Sequence, residues 1–478
     1  VKRIAIIGMG AAGVSVLNAM AKFPEYTQME IMLYSDSETF GTGLPYQADD
    51  TSLLLNQTAD TMSIDPEDPN DFVSWISEKK AIEGAKKMHF PRTWYGEYLQ
   101  DVLEEALAFL NPKVIKAEVT DLSIQADGKI LLASAQGEEV VDAVHLCMGH
   151  LAYQDPYHLK GNPDYIYHPY PTYKKLDQIK NDSRVGIIGT GLTGIDMMRY
   201  LVRKRTGVQI HFFSDRGTFS SVRGVEPQLQ LQYLTREHLE KERLNSSGFV
   251  SLSKMIDWFR LECQEHGVDL DKLLTTYPEG TKEELEMQLE DPGDLEKLQS
   301  IIHAMDFDLP EYWLALNEAD KTRYVHEYRS LFERFRSPMP RETVTELLEL
   351  SASGEVRTHQ EIKAINGAQP GFYVSLENGK DVAVDYIINA TGQNKRVEVS
   401  YLNSPLLNNL LNKRILQPEV SGGIQVIWPT SEAVSQRYGI LSNLRVHGQL
   451  ITGIQYGNNT VGLIQKHAYK VVDEMRKQ

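Results

Sequence analysis

Two short runs have the types and spacing that bind a dinucleotide. They are Gly8-Met9-Gly10-Ala11-Ala12-Gly13 and Gly189-Thr190-Gly191-Leu192-Thr193-Gly194, both Gly-x-Gly-x-x-Gly. Each follows a short apolar run, Ile4 to Ile7 and Val185 to Ile188, and each opens a stretch of helical composition. A strand that turns sharply into a helix needs a first glycine for the turn. A second glycine lets the backbone approach a pyrophosphate, and a third lets helix and strand pack closely. The helix N-terminus then presents N–H donors to the phosphates. Two such turns in one chain imply two dinucleotides, and the economical pairing is FAD with a nicotinamide nucleotide.

The strand after each turn should end at the residue that meets a ribose. After the first turn Met29 to Tyr34 ends in Ser35-Asp36, and either side chain could bond a ribose hydroxyl; Asp36 could also be a solvated loop acid. After the second, Val208 to Phe213 ends in Ser214-Asp215-Arg216-Gly217. A 2′-phosphate needs a guanidinium partner, so Arg216 argues for NADP and Asp215 for NAD. The reading leans to NADP.

These turns need elements to hold them. A continuous apolar run ending at glycine reads as a parallel strand buried on both faces. Later in each half a small antiparallel meander follows, over Val114 to Gly149 with turns at Asp127-Gly128 and Gln136-Gly137, and over Glu355 to Gly392 with turns at Asn366-Gly367 and Asn378-Gly379. Gly149 and Gly392 close these segments where the chain could leave one domain for the other. The fold class is therefore α/β, with two Rossmann-like dinucleotide-binding domains (three-layer sandwiches with antiparallel meanders) plus a helical insertion. The expected borders are 1–170 for the N-terminal part of the first domain, 171–385 for the second, and 386–478 for the return to the first. The insertion falls near 225–350, where the chain becomes acidic, helical and glycine-poor. There the helical spacing of Ser251 to Cys263 points Met255, Ile256, Phe259 and Leu261 inward. Arg329, Arg334, Arg336 and Arg341 could receive a substrate carboxylate, or could be surface groups balanced by Glu327, Glu333 and Glu342.

Composition excludes other classes. Of 478 residues, 49 are basic and 66 acidic, a formal net charge of −17, which argues against nucleic-acid binding. No uninterrupted apolar run of about 18 residues occurs, so no membrane-spanning helix is expected. Cys147 and Cys263 are the two cysteines and form no Cys-x-x-Cys, which excludes a cysteine-based metal site, a disulfide framework and disulfide-reductase chemistry. No metal cluster or nucleophilic triad is visible, and catalytic residues are unassigned. The first apolar stretch lacks the long core of a secretory leader. A cytoplasmic protein with a small-molecule substrate, free to form a homo-oligomer, is the expectation.

Beyond the glycine turns, the chain resembles the flavoproteins with two dinucleotide-binding domains that include the flavin-dependent monooxygenases. It is most similar to bacterial FAD/NAD(P)-binding proteins related to amino-acid N-hydroxylases. The segments that carry the resemblance are Phe40 to Tyr46, Leu54 to Asn56, Met62-Ser63, Asp71-Phe72 with Trp75, Phe90 to Leu99, Gly189 to Asp196, Ser214 to Gly217, Ala390 to Gly392, and Gly448 to Gly462. They span most of the chain except about 226 to 300.

The resemblance implies FAD on the domain built from both chain ends and a nicotinamide nucleotide on the domain between them. It puts Gly8, Gly10 and Gly13 at the FAD pyrophosphate, with Ala11, Ala12 and Gly43 also among the cofactor-binding residues, Ser35 or Asp36 at the ribose, and the backbone of Val119 near the adenine. Asn56, Met62 and Arg92 fall in segments that line the flavin side, or else serve loop packing and, for Arg92, an ion pair. Gly149 and Gly392, which close the two domains, are also among the cofactor-binding residues. Leu192, Thr193, Ser214 and Arg216 join Gly189, Gly191 and Gly194 around the second nucleotide. Asn459 and Thr460 precede a helix, Val461 to Met475, whose N-terminus would stabilise charge on a reduced flavin, or which merely docks on the sheet. His168 could order the linker between domains or be a partly buried polar residue. The implied activity is flavin reduction by NAD(P)H followed by oxygenation of a small molecule. Its rivals are an NAD(P)H–flavin reductase without oxygen insertion, and a non-catalytic FAD-binding redox sensor with a protein partner.

Overall fold

A computed structural model describes residues 1–35, 38–368, 370–400 and 404–477. The chain divides into two units, Val1–Ala152 with Gln393–Gln478, and Tyr153–Gly392. Among the described residues no helix is long and apolar enough to cross a membrane.

The first unit opens with β1 (Arg3–Ile7), α1 (Ala11–Ala21) and β2 (Glu30–Tyr34), the two strands parallel with Ile4 opposite Ile31. Ile4 and Ile6 face α1, while Ala5 and Ile7 enter the core on the other side of the sheet. That double burial explains the unbroken apolar run. Helix α2 (Arg92–Leu110) packs on α1. Then come β3 (Lys113–Ile115), the antiparallel meander β4 (Val119–Ile124), β5 (Ile130–Ser134) and β6 (Gly137–Val141), and β7 (Ala143–Leu146). Val119, Leu122, Ile130 and Leu132 bury the meander against the sheet face opposite α1.

The second unit repeats this plan. β8 (Tyr165–Ile166), β9 (Arg184–Ile188), α3 (Leu192–Lys204) and β10 (Gln209–Ser214) lead into the helical insertion. Within it lie α4 (Leu252–Glu265), α5 (Lys282–Glu290), α6 (Leu295–Ala304), α7 (Arg329–Arg336) and α8 (Arg341–Ala352). β11 (Val356–Gln360), the meander β12 (Ile362–Gly367), β13 (Phe372–Leu376) and β14 (Asp381–Val384), and β15 (Tyr386–Asn389) complete it. The sheet order is β11-β10-β9-β15-β8. The chain then returns to the first unit with β16 (Val426–Ile427), β17 (Glu432–Ser435), β18 (Gly439–Val446) and α9 (Val461–Arg476), giving the order β16-β17-β18-β7-β1-β2-β3.

The unit borders differ from those expected at 170/171 and 385/386. β8 pairs with β15, Tyr165 opposite Ile387, so the segment from Tyr153 belongs to the second unit. β15 also pairs with β9, which keeps the chain in that unit through Gly392.

Two details of the insertion are also corrected. On α4, Met255 is buried and Ile256 and Phe259 are half-buried, but Leu261 is 41% exposed. Trp258, Glu262 and Cys263 point inward instead. The Glu262 carboxylate is fully buried because it accepts the backbone N–H groups of Gln232, Tyr233 and Leu234 at 2.7–3.1 Å. Nor do the four arginines gather. Arg336 is buried on Asp306 at 2.8 Å, Arg334 donates to the carbonyl of Tyr277, Arg341 to that of Leu289, and Arg329 is exposed.

Candidate functional site

The first glycine turn sits at the carboxyl end of β1, between β2 and β7. The Gly8 N–H donates to the carbonyl of Tyr34 at 2.9 Å. Gly8 has φ +91°, and a Cβ there would lie 2.3 Å from the carbonyl oxygen of Cys147. A Cβ on Gly13 would lie 2.1 Å from the Gly8 carbonyl oxygen. These two glycines are therefore required by the protein's own backbone. Gly10 is the N-cap of α1, and the helix carries no side-chain cap and no acid in its first turn. Several other helices are capped by Thr235, Ser251, Asp269, Thr281, Asn317 and Ser404. The N–H groups at the start of α1, around Ala11 and Ala12, therefore have no side-chain cap of their own, an arrangement that can receive an anion.

A loop closes over this turn. The Gly41 N–H donates to Met9 at 2.6 Å, and a Cβ on Gly43 would come 3.1 Å from the Cα of Gly10. On the other flank, a Cβ on Gly448 would meet Ala12 at 3.2 Å. Gly41, Cys147 and Gly448 are the neighbours that spacing alone did not single out. Their partners lie far away in sequence, and a pair of glycines in a loop was the one available signal.

The second turn has the same geometry. The Gly189 N–H donates to Phe213 at 2.7 Å, and Gly189 has φ +112°. A Cβ there would lie 2.5 Å from the Ala390 carbonyl, and one on Gly194 would lie 2.4 Å from that of Gly189. Gly191 caps α3, again without a side-chain cap or an acid in the first turn, which includes Leu192 and Thr193. A Cβ on Gly191 would meet nothing within 4 Å. Its extended backbone (φ −74°) does not demand glycine either. The absence of a side chain leaves open space beside the helix N-terminus, a cradle that suits a pyrophosphate. Thr190 Oγ1 donates to the carbonyl of Thr218 at 2.5 Å.

The remaining candidates scatter more. Ser35 follows β2, its N–H donating to Ile115 at 3.2 Å, and is half-buried; Asp36 lies outside the described residues. Val119 is buried at the start of β4. The segments of Asn56 and Arg92 are brought together, since Leu55 N–H donates to Phe90 and Arg92 N–H to Leu53, both at 2.8 Å. Met62 is buried in the apolar core with Leu55, Ala59 and Phe72. Beside these segments Ser52 Oγ and Tyr95 Oη are buried with no hydrogen-bond partner among the described residues. Gly149 and Gly392 have φ +75° and +85° with open space where a Cβ would be. Ser214 Oγ accepts from the Gly217 N–H at 2.8 Å, leaving Asp215 and Arg216 exposed. Asn459 is exposed. Thr460 precedes α9 but its side chain makes no cap hydrogen bond, contrary to the expected polar cap. The helix packs along α1 through Val461, Ala468, Val471 and Val472. His168 is half-buried, its Nδ1 accepting from the Tyr170 N–H at 3.2 Å.

Behind the first turn lies a layer of buried bases. His145 Nδ1 and His447 Nε2 share a hydrogen bond at 3.0 Å. His467 on α9 stacks on Trp428 at 4.7 Å and donates to the Pro429 carbonyl at 3.1 Å. Burial lowers all three from the ordinary imidazole range, His145 to about 3, His467 to about 4 and His447 well below. Burial also pushes the Cys147 thiol up, so it is not a ready nucleophile.

The family described as FAD-NAD(P)-binding matches residues 5–151, the stretch from β1 past β7. An uncharacterised Escherichia coli K12 protein, YdhS, is 26% identical over 213 residues, 41% of this chain; the match spans only 38% of that protein's own length. The L-lysine 6-monooxygenase of Pseudomonas syringae superposes with a TM-score of 0.63 at 14% identity, covering 100% of this chain and 99% of that one. The ornithine N-hydroxylase KtzI of Kutzneria sp. 744, in a structure with reduced FAD, NADP+ and L-ornithine, gives 0.60 at 14% identity, covering 100% and 99%. This chain has the fold of the amino-acid N-hydroxylases. The two units, each with a glycine turn, a sheet and a meander, match that fold over the full length.

Proposed function

We propose that the protein is an FAD-dependent oxidoreductase that uses NAD(P)H, of the monooxygenase type, acting on a small molecule. The observation that carries this reading is the repeated turn: two helices, each opened by a glycine, uncapped by any side chain and free of acid in the first turn. In the first unit, the backbone from Gly8 to Gly13 and Gly43 would hold the FAD pyrophosphate. Ser35 would meet the ribose, and the backbone of Val119 the adenine. The buried, unpaired hydroxyls of Ser52 and Tyr95 fit a polar ligand beside Asn56 and Arg92. In the second unit Gly189 to Gly194 would hold the nicotinamide nucleotide. Arg216 favours NADP because its guanidinium is exposed at the end of β10, while the Ser214 hydroxyl is already engaged.

When bound, FAD supplies hydride acceptance and oxygen chemistry, for which the side chains need supply no nucleophile. The chain's own part is to hold and orient both nucleotides by backbone N–H groups and helix dipoles, which need no proton transfer. Both cysteines are buried and free, and a cytoplasmic setting, where NAD(P)H is available, fits them. The test is the absorption spectrum of the purified protein titrated with NADPH and NADH without oxygen. Bound flavin bleached faster by NADPH supports the proposal, and an oxygenated product after readmission of air distinguishes a monooxygenase from a reductase. Flavin that neither nucleotide reduces argues for a sensor, and protein that takes up no FAD overturns the reading.

A further inference from the structure

The segment after β10, residues 217–225, belongs to no strand or helix, yet six of its backbone N–H groups and two of its carbonyls are held by the helical insertion. The Phe219 N–H donates to Gly280 at 2.8 Å and the Ser221 N–H to Arg334 at 3.1 Å. Ser221 and Arg223 exchange bonds with Met339, both at 2.8 Å. Side chains complete the set. Gln288 on α5 accepts from the Val222 N–H at 2.8 Å. On α6, Glu296 accepts from Val225 at 2.7 Å, and Gln299 accepts from Gly224 at 2.9 Å while donating to the Val222 carbonyl at 2.7 Å. Gln288 and Gln299 are 1% and 0% exposed. Burying two carboxamides is unfavourable unless their polar atoms are paired, so these bonds define one position of the segment.

The segment also meets the second glycine turn and the strand beside it. Thr218 accepts the Thr190 hydroxyl, and Phe219 packs edge-on to Phe212 of β10 with centroids 5.7 Å apart. We infer that the helical insertion sets the geometry of the nicotinamide-nucleotide turn through this segment, with Gln299 as a positioning residue and Thr190 as the point of delivery. The inference rests on the proposed function of the second turn and adds a purpose for the insertion.

The experiment is equilibrium dialysis of the full-length flavoprotein against NADPH. Gln299→Leu keeps the volume and removes the bonds; it should raise the NADPH Kd about tenfold, the equivalent of one net hydrogen bond, with FAD content unchanged. Thr190→Val should do the same, and the double variant should bind no more weakly than the worse single variant, since both act on one path. Glu262→Gln, which disturbs only the 232–234 end, should lower the melting temperature and leave the Kd unchanged. Parental Kd in both Gln299→Leu and Thr190→Val overturns the inference. If Gln299→Leu does not fold, an unchanged Kd in Thr190→Val overturns it alone. If the parent holds FAD but binds no NADPH, the reading of the second turn falls and takes this inference with it.

Discussion

At the scale of single residues, the glycines of the two turns do different work. Gly8, Gly13, Gly189 and Gly194 face carbonyl oxygens at 2.1–2.5 Å from where a Cβ would be, so they hold the backbone together. Gly191 meets no described residue within 4 Å of where a Cβ would be and is extended, so neither packing nor backbone conformation demands glycine there. Gly191→Ala should therefore keep the parental melting temperature yet weaken NADPH binding by about tenfold or more, because the methyl occupies the cradle. Gly8→Ala should do the reverse in kind. It forces an L side chain into a left-handed backbone against Cys147, and should lower the melting temperature and release FAD. Thermal melts paired with nucleotide titration separate the two. An equal loss of stability in both variants would contradict this division.

At the scale of elements, α9 closes the first unit. Its apolar residues seal α1, while His467 reaches a polar layer shared with His145 on β7 and His447 after β18. The groups facing this layer are mostly cationic: Arg445 is 1% exposed, Lys470 adds to the field at His467, and Glu432 lies 3.4 Å from Arg445. The imidazoles are neutral in the folded state, with affinities for protons below those of the unfolded chain. The unfolded chain thus binds more protons once the pH falls below about 6.5, and stability falls with it. The stabilisation is fully present above pH 6.5 and is lost progressively as the pH drops toward 4, by up to about 1.4 kcal/mol per pH unit for each histidine. Carboxylates such as Asp142, held low by the Arg3 N–H, add their losses mainly below that window. Melting temperatures at pH 7, 6 and 5 check this, and a flat profile would refute it.

At the scale of the whole molecule, the chain leaves and re-enters the first unit through segments that lie side by side. Asn394 N–H donates to the Ala152 carbonyl at 2.8 Å, while Gln154 N–H donates to Gly392 at 3.1 Å. The two ends of the first unit are thus one hydrogen bond apart, and the units divide between those pairs. Replacing residues 153–392 by a short glycine-serine linker should leave a folded protein, because closing so small a gap adds little entropy loss. It should retain FAD, shown by its visible absorption, and NADPH should not reduce it. An insoluble product, or one without flavin, would count against independent units.

Much of the fold was legible because it is written in contiguous residues. The turns, the strand-to-helix switches and the tight hairpins of both meanders depend on local dihedral preference and periodicity, so Gly8 to Gly13, Gly189 to Gly194 and the Asp127-Gly128 and Asn378-Gly379 turns announced themselves. What had no local signal was the choice of partner. The carbonyls of Cys147 and Ala390 that make Gly8 and Gly189 obligatory come from strands far along the chain. The unit borders moved because β8 pairs with β15, a contact that no window around residue 170 contains. Glu262 turned inward and Leu261 outward because three N–H groups of a distant loop needed an acceptor, which outweighs the apolar rule. Arg334, Arg336 and Arg341 dispersed for the same reason, each drawn to an acceptor supplied by another helix or loop, while Arg329 stays exposed. The sequence by itself determined the two glycine turns and the sheets they cap. The tertiary structure alone decided which polar groups satisfy one another, since pairing a buried charge requires atoms that meet only once the chain has closed.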